Sequence, residues 1–226
     1  MIFDPLYFIL IAPAFLLGLW ANFRVRSTYA RASQMRASLS GAAAARYILD
    51  SAGLQDIAVE MTPGELSDHY SPAERVIRLS PDVYRGNSLA AVGIAAHEAG
   101  HAIQHARAYA PLVFTQAIVP VAGFGGNAGF LALLFGIGLG LQWLAWAGVI
   151  LFSAVVLFQL VNLPVEFNAS NRAKQQLVAL GIVPREEMVY VNKVLNAAAL
   201  TYVAATLQAV LTLLYYLLLV SGRSRE

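Results

Sequence analysis

The chain has 226 residues, of which 58% are hydrophobic and 12% charged, and its mean hydropathy is +0.61, a composition that excludes an ordinary soluble domain and reads as a membrane protein. The formal net charge is only +2 with the charges scattered, which argues against nucleic acid as a partner. Cysteine is absent, so disulfide staples and thiolate metal sites are both excluded, and any bound metal must be held by histidine and carboxylate.

Four apolar runs are long enough to cross a hydrocarbon core, which takes about 20 helical residues. They are Pro5–Phe23, Pro111–Leu134, Leu141–Leu163 and Ala197–Val220. The first opens with Asp4 and lacks a small-x-small cleavage site, so it reads as a retained anchor rather than a signal peptide. Arg24, Arg26, Arg31 and Arg36 follow it closely, and the positive-inside rule therefore puts the next segment in the cytoplasm. Arg172, Lys174, Arg185 and Lys193 after the third run agree, whereas Arg223 and Arg225 in the tail run against this orientation.

The polar segment 24–110 between the first two runs reads as helix, two short strands, helix. Ser40 caps a helix over Ala42–Asp50 that Gly53 stops; Ile57–Met61 is a strand, Thr62-Pro63-Gly64 a turn, and Arg75–Leu79 a second strand bounded by Pro72 and Pro81. The second strand is a candidate sheet edge for pairing with an extended substrate. Asn87 or Ser88 then caps a helix whose buried face carries Leu89, Val92, Ala96 and Ile103.

That helix contains His97-Glu98-Ala99-Gly100-His101. Imidazoles four residues apart share a helix face and can grip one Zn²⁺, and Glu98 between them can act as general base on the water that the ion activates. A hydrolytic site needs a third protein ligand. His105 lies eight residues beyond His97, about 12 Å along a straight helix, too far to join the same ion. The better candidate is Glu166, in Leu163-Pro164-Val165-Glu166-Phe167-Asn168-Ala169-Ser170, at the start of a helix that ends at Gly181 and Pro184. Two crossings separate it from the motif, which returns the chain to the same side of the membrane. Asp68, Asn168 and Ser170 are candidates to orient a ligand imidazole, and His69 and Tyr70 to stabilise an oxyanion. The second apolar run is glycine-rich, which suits close helix packing in lipid, with a re-entrant segment as the alternative.

The motif HEAGHAIQH at His97–His105, the upstream DHYSP at Asp68–Pro72 with RVIRLSPDVY, and the downstream NLPVEFNAS occur in one order over most of the chain. Together they resemble the bacterial YugP-type neutral zinc metallopeptidases. The resemblance implies a gluzincin-like plan in which His97, His101 and Glu166 hold zinc. The expected fold is mainly α: a polytopic helical membrane protein of four spans with a small α+β catalytic unit. The segments run 1–23 (anchor), 24–110 (catalytic, with the motif), 111–164 (membrane hairpin), 165–196 (glutamate helix and connector) and 197–226 (last span and tail).

The expected function is zinc-dependent hydrolysis of peptide bonds in a peptide or protein substrate, at the cytoplasmic face of the bacterial inner membrane. The lipid bilayer is one partner and an unidentified membrane protein another candidate. ATP-dependent membrane proteases share HEAGH but need a phosphate-binding GxxxxGK[ST] loop, which is absent. Two alternatives stay open. One is a site-2-type intramembrane protease, against which stand the polar flanks Arg85, Asn87, His105 and Arg107 and the lack of Asp in the later spans. The other is a scaffold or chaperone-like protein with a structural zinc, which a fourth ligand such as His69 or His105 would favour.

Overall fold

The computed structural model describes residues 4–223, so Arg225 and the side chain of Arg223 lie outside the description. The protein is a helical polytopic membrane protein with a small α+β unit. Among the described residues the elements are α1 (Pro5–Ser33), α2 (Gly41–Ser51), β1 (Ala58–Met61), β2 (His69–Ser71), β3 (Val76–Leu79), α3 (Pro81–Arg85), α4 (Leu89–Ala106), α5 (Ala110–Gly138), α6 (Gln142–Ala179) and α7 (Met188–Arg223). Helices α1, α5, α6 and α7 are each long and apolar enough to cross a membrane, at the positions of the four apolar runs. The chain divides into two compact units, residues 1–21, 113–164 and 200–226 in one, and 22–112 and 165–199 in the other.

The first unit is built from apolar helices whose large side chains face outward: Ile9, Phe124, Trp143 and Ile150 are each more than 60% exposed, as suits a surface solvated by lipid. The contact between α5 and α6 is glycine-lined. A Cβ at Gly125 would meet Leu151 O at 2.4 Å, and one at Gly136 would meet Ala145 N at 2.3 Å, so only hydrogen lets α5 and α6 approach this closely. The glycine-rich run forms one continuous helix through Pro120, not a re-entrant segment. Tyr215 donates its hydroxyl proton to Asp4 Oδ2 at 2.9 Å, pairing the acidic group that opens α1 with a side chain of α7.

In the second unit, α2 packs on α4 through its Ala44, Ala45, Ile48 and Leu49 face, and the shared core extends to Ile77, Leu79, Val83, Val92, Leu177 and Val191. Local signals act where the sequence places them. Ser40 Oγ accepts from Ala43 N–H and Ser88 Oγ from Ala91 N–H, each at 3.2 Å, and Gly53 takes φ +76° to let Leu54 N–H close back on Leu49 O.

The sheet corrects two expectations. It has three strands, not two, and β3 lies in the middle, parallel to β1 (Ala58↔Val76 to Met61↔Leu79) and antiparallel to β2 (His69↔Arg78 to Ser71↔Val76). The Arg75–Leu79 region is therefore no edge; its backbone is already paired on both sides, and the free edges belong to β1 and β2. A further correction concerns Pro164. The reading that a new helix begins there fails, because α6 runs unbroken for 38 residues, about 57 Å at 1.5 Å per residue. Proline at that point removes one N–H from the ladder while the bonds before and after it hold the helix, which membrane helices tolerate. Likewise α7 begins at Met188, ahead of its apolar run at Ala197.

Candidate metal centre

Helix α4 puts His97 and His101 one turn apart, with ring centroids 4.7 Å from each other and Nε2 atoms 3.2 Å apart. Helix α6 can lie against this turn because position 100 is glycine: a Cβ there would sit 2.6 Å from Ala169 O. Ala169 follows Glu166 by three residues on the same helix face. The close approach thus brings Glu166 Oε2 to 3.3 Å from His97 Nε2 and 3.6 Å from His101 Nε2.

These spacings test whether a metal fits. Tetrahedral zinc with bonds of about 2.0–2.2 Å to N and O separates its ligand atoms by about 3.3–3.5 Å. The three observed edges, 3.2, 3.3 and 3.6 Å, lie within about 0.1 Å of that range. Glu166 Oε2 is also sealed from solvent with no hydrogen-bond partner, an arrangement that costs energy unless a cation satisfies the oxygen. Among the described residues, His97, His101 and Glu166 form a group able to hold a metal ion.

The outer nitrogens of both rings are anchored. Gln104, fully buried three residues after His101, donates through Nε2 to Val165 O (2.8 Å) and Asn168 Oδ1 (3.0 Å). Those two acceptors fix the amide's orientation, so its Oε1 must accept from His101 Nδ1–H at 3.0 Å. The proton on Nδ1 leaves the Nε2 lone pair directed at the centre. His97 Nδ1 meets Ser170 Oγ at 3.1 Å, and Arg172 Nε donates to Asn168 Oδ1 at 2.6 Å. Burial acts to lower the His101 pKa, but the adjacent Glu166 carboxylate, the Glu98 charge and the Gln104 amide outweigh it and raise it above the ordinary histidine value. A cation is favoured here.

The remaining candidates fall in different places. Ser170 touches a histidine directly, whereas Asn168 acts one step removed, through Gln104. Asp68 does not reach the imidazoles; its carboxylate accepts from the backbone N–H (2.8 Å) and hydroxyl of Ser80, at the start of α3. His69, exposed on β2, has Nδ1 2.8 Å from Ser67 O. The Tyr70 hydroxyl and His105 Nδ1 bond to each other at 2.8 Å, with burial raising the phenol's pKa. Glu98 is buried at 8% exposure beside the ligand pair. Gln104 was missed by sequence reasoning, although its signal was present: positions 97, 101 and 104 recur on one helix face, and a buried amide there needs partners.

A family profile described as "Putative neutral zinc metallopeptidase" matches residues 7–221. The chain is 48% identical to the "Putative membrane protease YugP" of Bacillus subtilis (strain 168) over 224 residues, covering 98% of this chain and 100% of that protein. No solved structure matches.

Proposed function

Since the chain belongs to this neutral zinc metallopeptidase family, we propose that it is a membrane-bound zinc endopeptidase that cleaves peptide or protein substrates at the cytoplasmic face of the bacterial inner membrane. The observation that carries the reading is the triangle of His97 Nε2, His101 Nε2 and Glu166 Oε2, whose edges suit one tetrahedral ion. Zinc held by these residues would supply a Lewis acid able to make a water acidic and to polarise the scissile carbonyl.

The chain's own groups do the rest. Glu98 accepts a proton as the water's oxygen bonds to the carbonyl carbon, and returns it to the amide nitrogen as the C–N bond breaks, giving a carboxylate and an amine. Gln104 and Ser170 hold the two imidazoles against rotation. Three protein ligands leave a fourth position for water, since His69 and His105 are engaged with Ser67 and Tyr70; this supports the hydrolytic over the structural-zinc reading. The motif helix α4 is also not among the four candidate spans, which speaks against a site-2-type intramembrane protease.

The test is Glu98→Gln. The amide cannot take the water's proton, so the variant should keep zinc and lose cleavage of any protein substrate the unmodified chain degrades. Normal turnover by that variant would refute the assignment.

A further inference from the structure

A polar cavity of about 250 Å³ is lined by Arg24, Ser27, Thr28 and Arg31 of α1 and Tyr190 and Lys193 of α7, none of them a proposed zinc ligand. We propose that it holds the phosphate of an anionic phospholipid headgroup.

Among the described residues, three cations from two helices far apart in sequence converge on this space, and no carboxylate lines it. Arg24 and Arg31 are two turns apart and so project from one face of α1; Tyr190 and Lys193 are one turn apart on α7. The positive-inside rule requires basic residues on the flank of a span, but not that they surround a common cavity. The hydroxyls of Ser27 and Thr28 donate to Arg24 O at 3.1 and 2.7 Å, so recognition of an anion falls to the three cations and the Tyr190 hydroxyl.

The cavity's level in the chain selects the kind of anion. The apolar run of α1 ends at Phe23, one residue before Arg24, and that of α7 begins at Ala197, four residues after Lys193. The lining therefore sits where both helices pass from hydrocarbon into the polar interface, the depth of lipid phosphates. Phe23, 68% exposed beside Arg24, offers an apolar surface for the first acyl carbons. None of the lining residues belongs to the zinc centre, so the two sites stand or fall separately.

The full chain, reconstituted in nanodiscs of equimolar phosphatidylcholine and phosphatidylglycerol and then gently extracted, tests this by mass spectrometry of the retained lipid. The unmodified protein should carry phosphatidylglycerol in excess. Each cation near an anionic headgroup contributes about a fivefold preference, so Arg31→Gln with Lys193→Gln should lower the enrichment by about 25-fold. The charge-conserving pair Arg31→Lys with Lys193→Arg should keep it, and both variants should keep their zinc content, which shows that they are folded. Undiminished phosphatidylglycerol in the double glutamine variant would overturn the site. Release of a bound anion by inorganic phosphate, with no preference between the two lipids, would overturn the lipid and assign the cavity to free phosphate.

Discussion

Gly100→Ala adds one methyl group where α4 and α6 leave no room for it. The new Cβ would stand 2.6 Å from Ala169 O, whereas ordinary contact begins near 3.4 Å, so α4 and α6 must separate by about 0.8 Å. Metal–ligand distances tolerate about 0.2 Å. Glu166, one turn from Ala169, moves with its helix and falls out of range of an ion still held by His97 and His101. Overpacking costs about 1–3 kcal/mol, and the better helix propensity of alanine offsets about 1 kcal/mol of that, so stability should fall modestly. Zinc affinity should fall at least by the ~10–100-fold that follows loss of a supporting residue. Competition against a calibrated chelator gives the affinity, and a thermal melt gives the stability. Gly93→Ala is the control on the same helix: its Cβ would meet the end of the Val191 side chain, Cγ1 at 3.1 Å, which can rotate away. Should Gly100→Ala bind zinc as tightly as Gly93→Ala, the close approach of α6 is not what completes the centre.

Removing a ligand is a blunter perturbation: purified protein should hold about one zinc per chain, and His97→Ala or His101→Ala should lose it, with full retention in both variants refuting the site. Gln104→Leu keeps the volume but strips the His101 imidazole of its acceptor. It should weaken zinc binding about 10–100-fold, and cost about 1–3 kcal/mol of stability through the lost amide bonds to Val165 O and Asn168 Oδ1 and the buried His101 N–H left without an acceptor, so unchanged zinc affinity would show that His101 needs no such support. For topology, single cysteines at the exposed positions Gln55 and Gln175 should resist an impermeant thiol reagent in intact cells and react after permeabilisation, whereas Leu139→Cys in the α5–α6 turn should label from outside. Labelling of Gln55 and Gln175 from opposite faces would separate Glu166 from the histidines.

Features with a local physical cause were legible in the sequence. The caps at Ser40 and Ser88, the stop at Gly53 and the four apolar runs depend on side chains a few residues apart. The His97–His101 pairing follows from helix periodicity alone, and Glu166 could be singled out because counting membrane crossings is also a local exercise repeated. What stayed hidden depends on distant partners. Strand β2 is three residues long, too short for an alternating pattern, and exists because β3 offers it a ladder. Pro164 reads as a helix start, yet the turns on either side hold the helix through it. Gln104 is an ordinary polar residue until α6 supplies Val165 and Asn168 opposite it.

The order in which the ligands leave the ribosome carries a consequence of its own. His97 and His101 are made early, but Glu166 follows His101 by 65 residues (166 − 101), with α5 and the apolar part of α6 between them. At about 5–20 residues per second that interval is about 3–13 s. During it the nascent chain has His97, Glu98 and His101 but not Glu166. Glu166 becomes available only after the apolar hairpin has been made, and it rides on the second helix of that hairpin. On the function proposed above, a hydrolase assembled in this sequence has no complete centre until its apolar hairpin has been made.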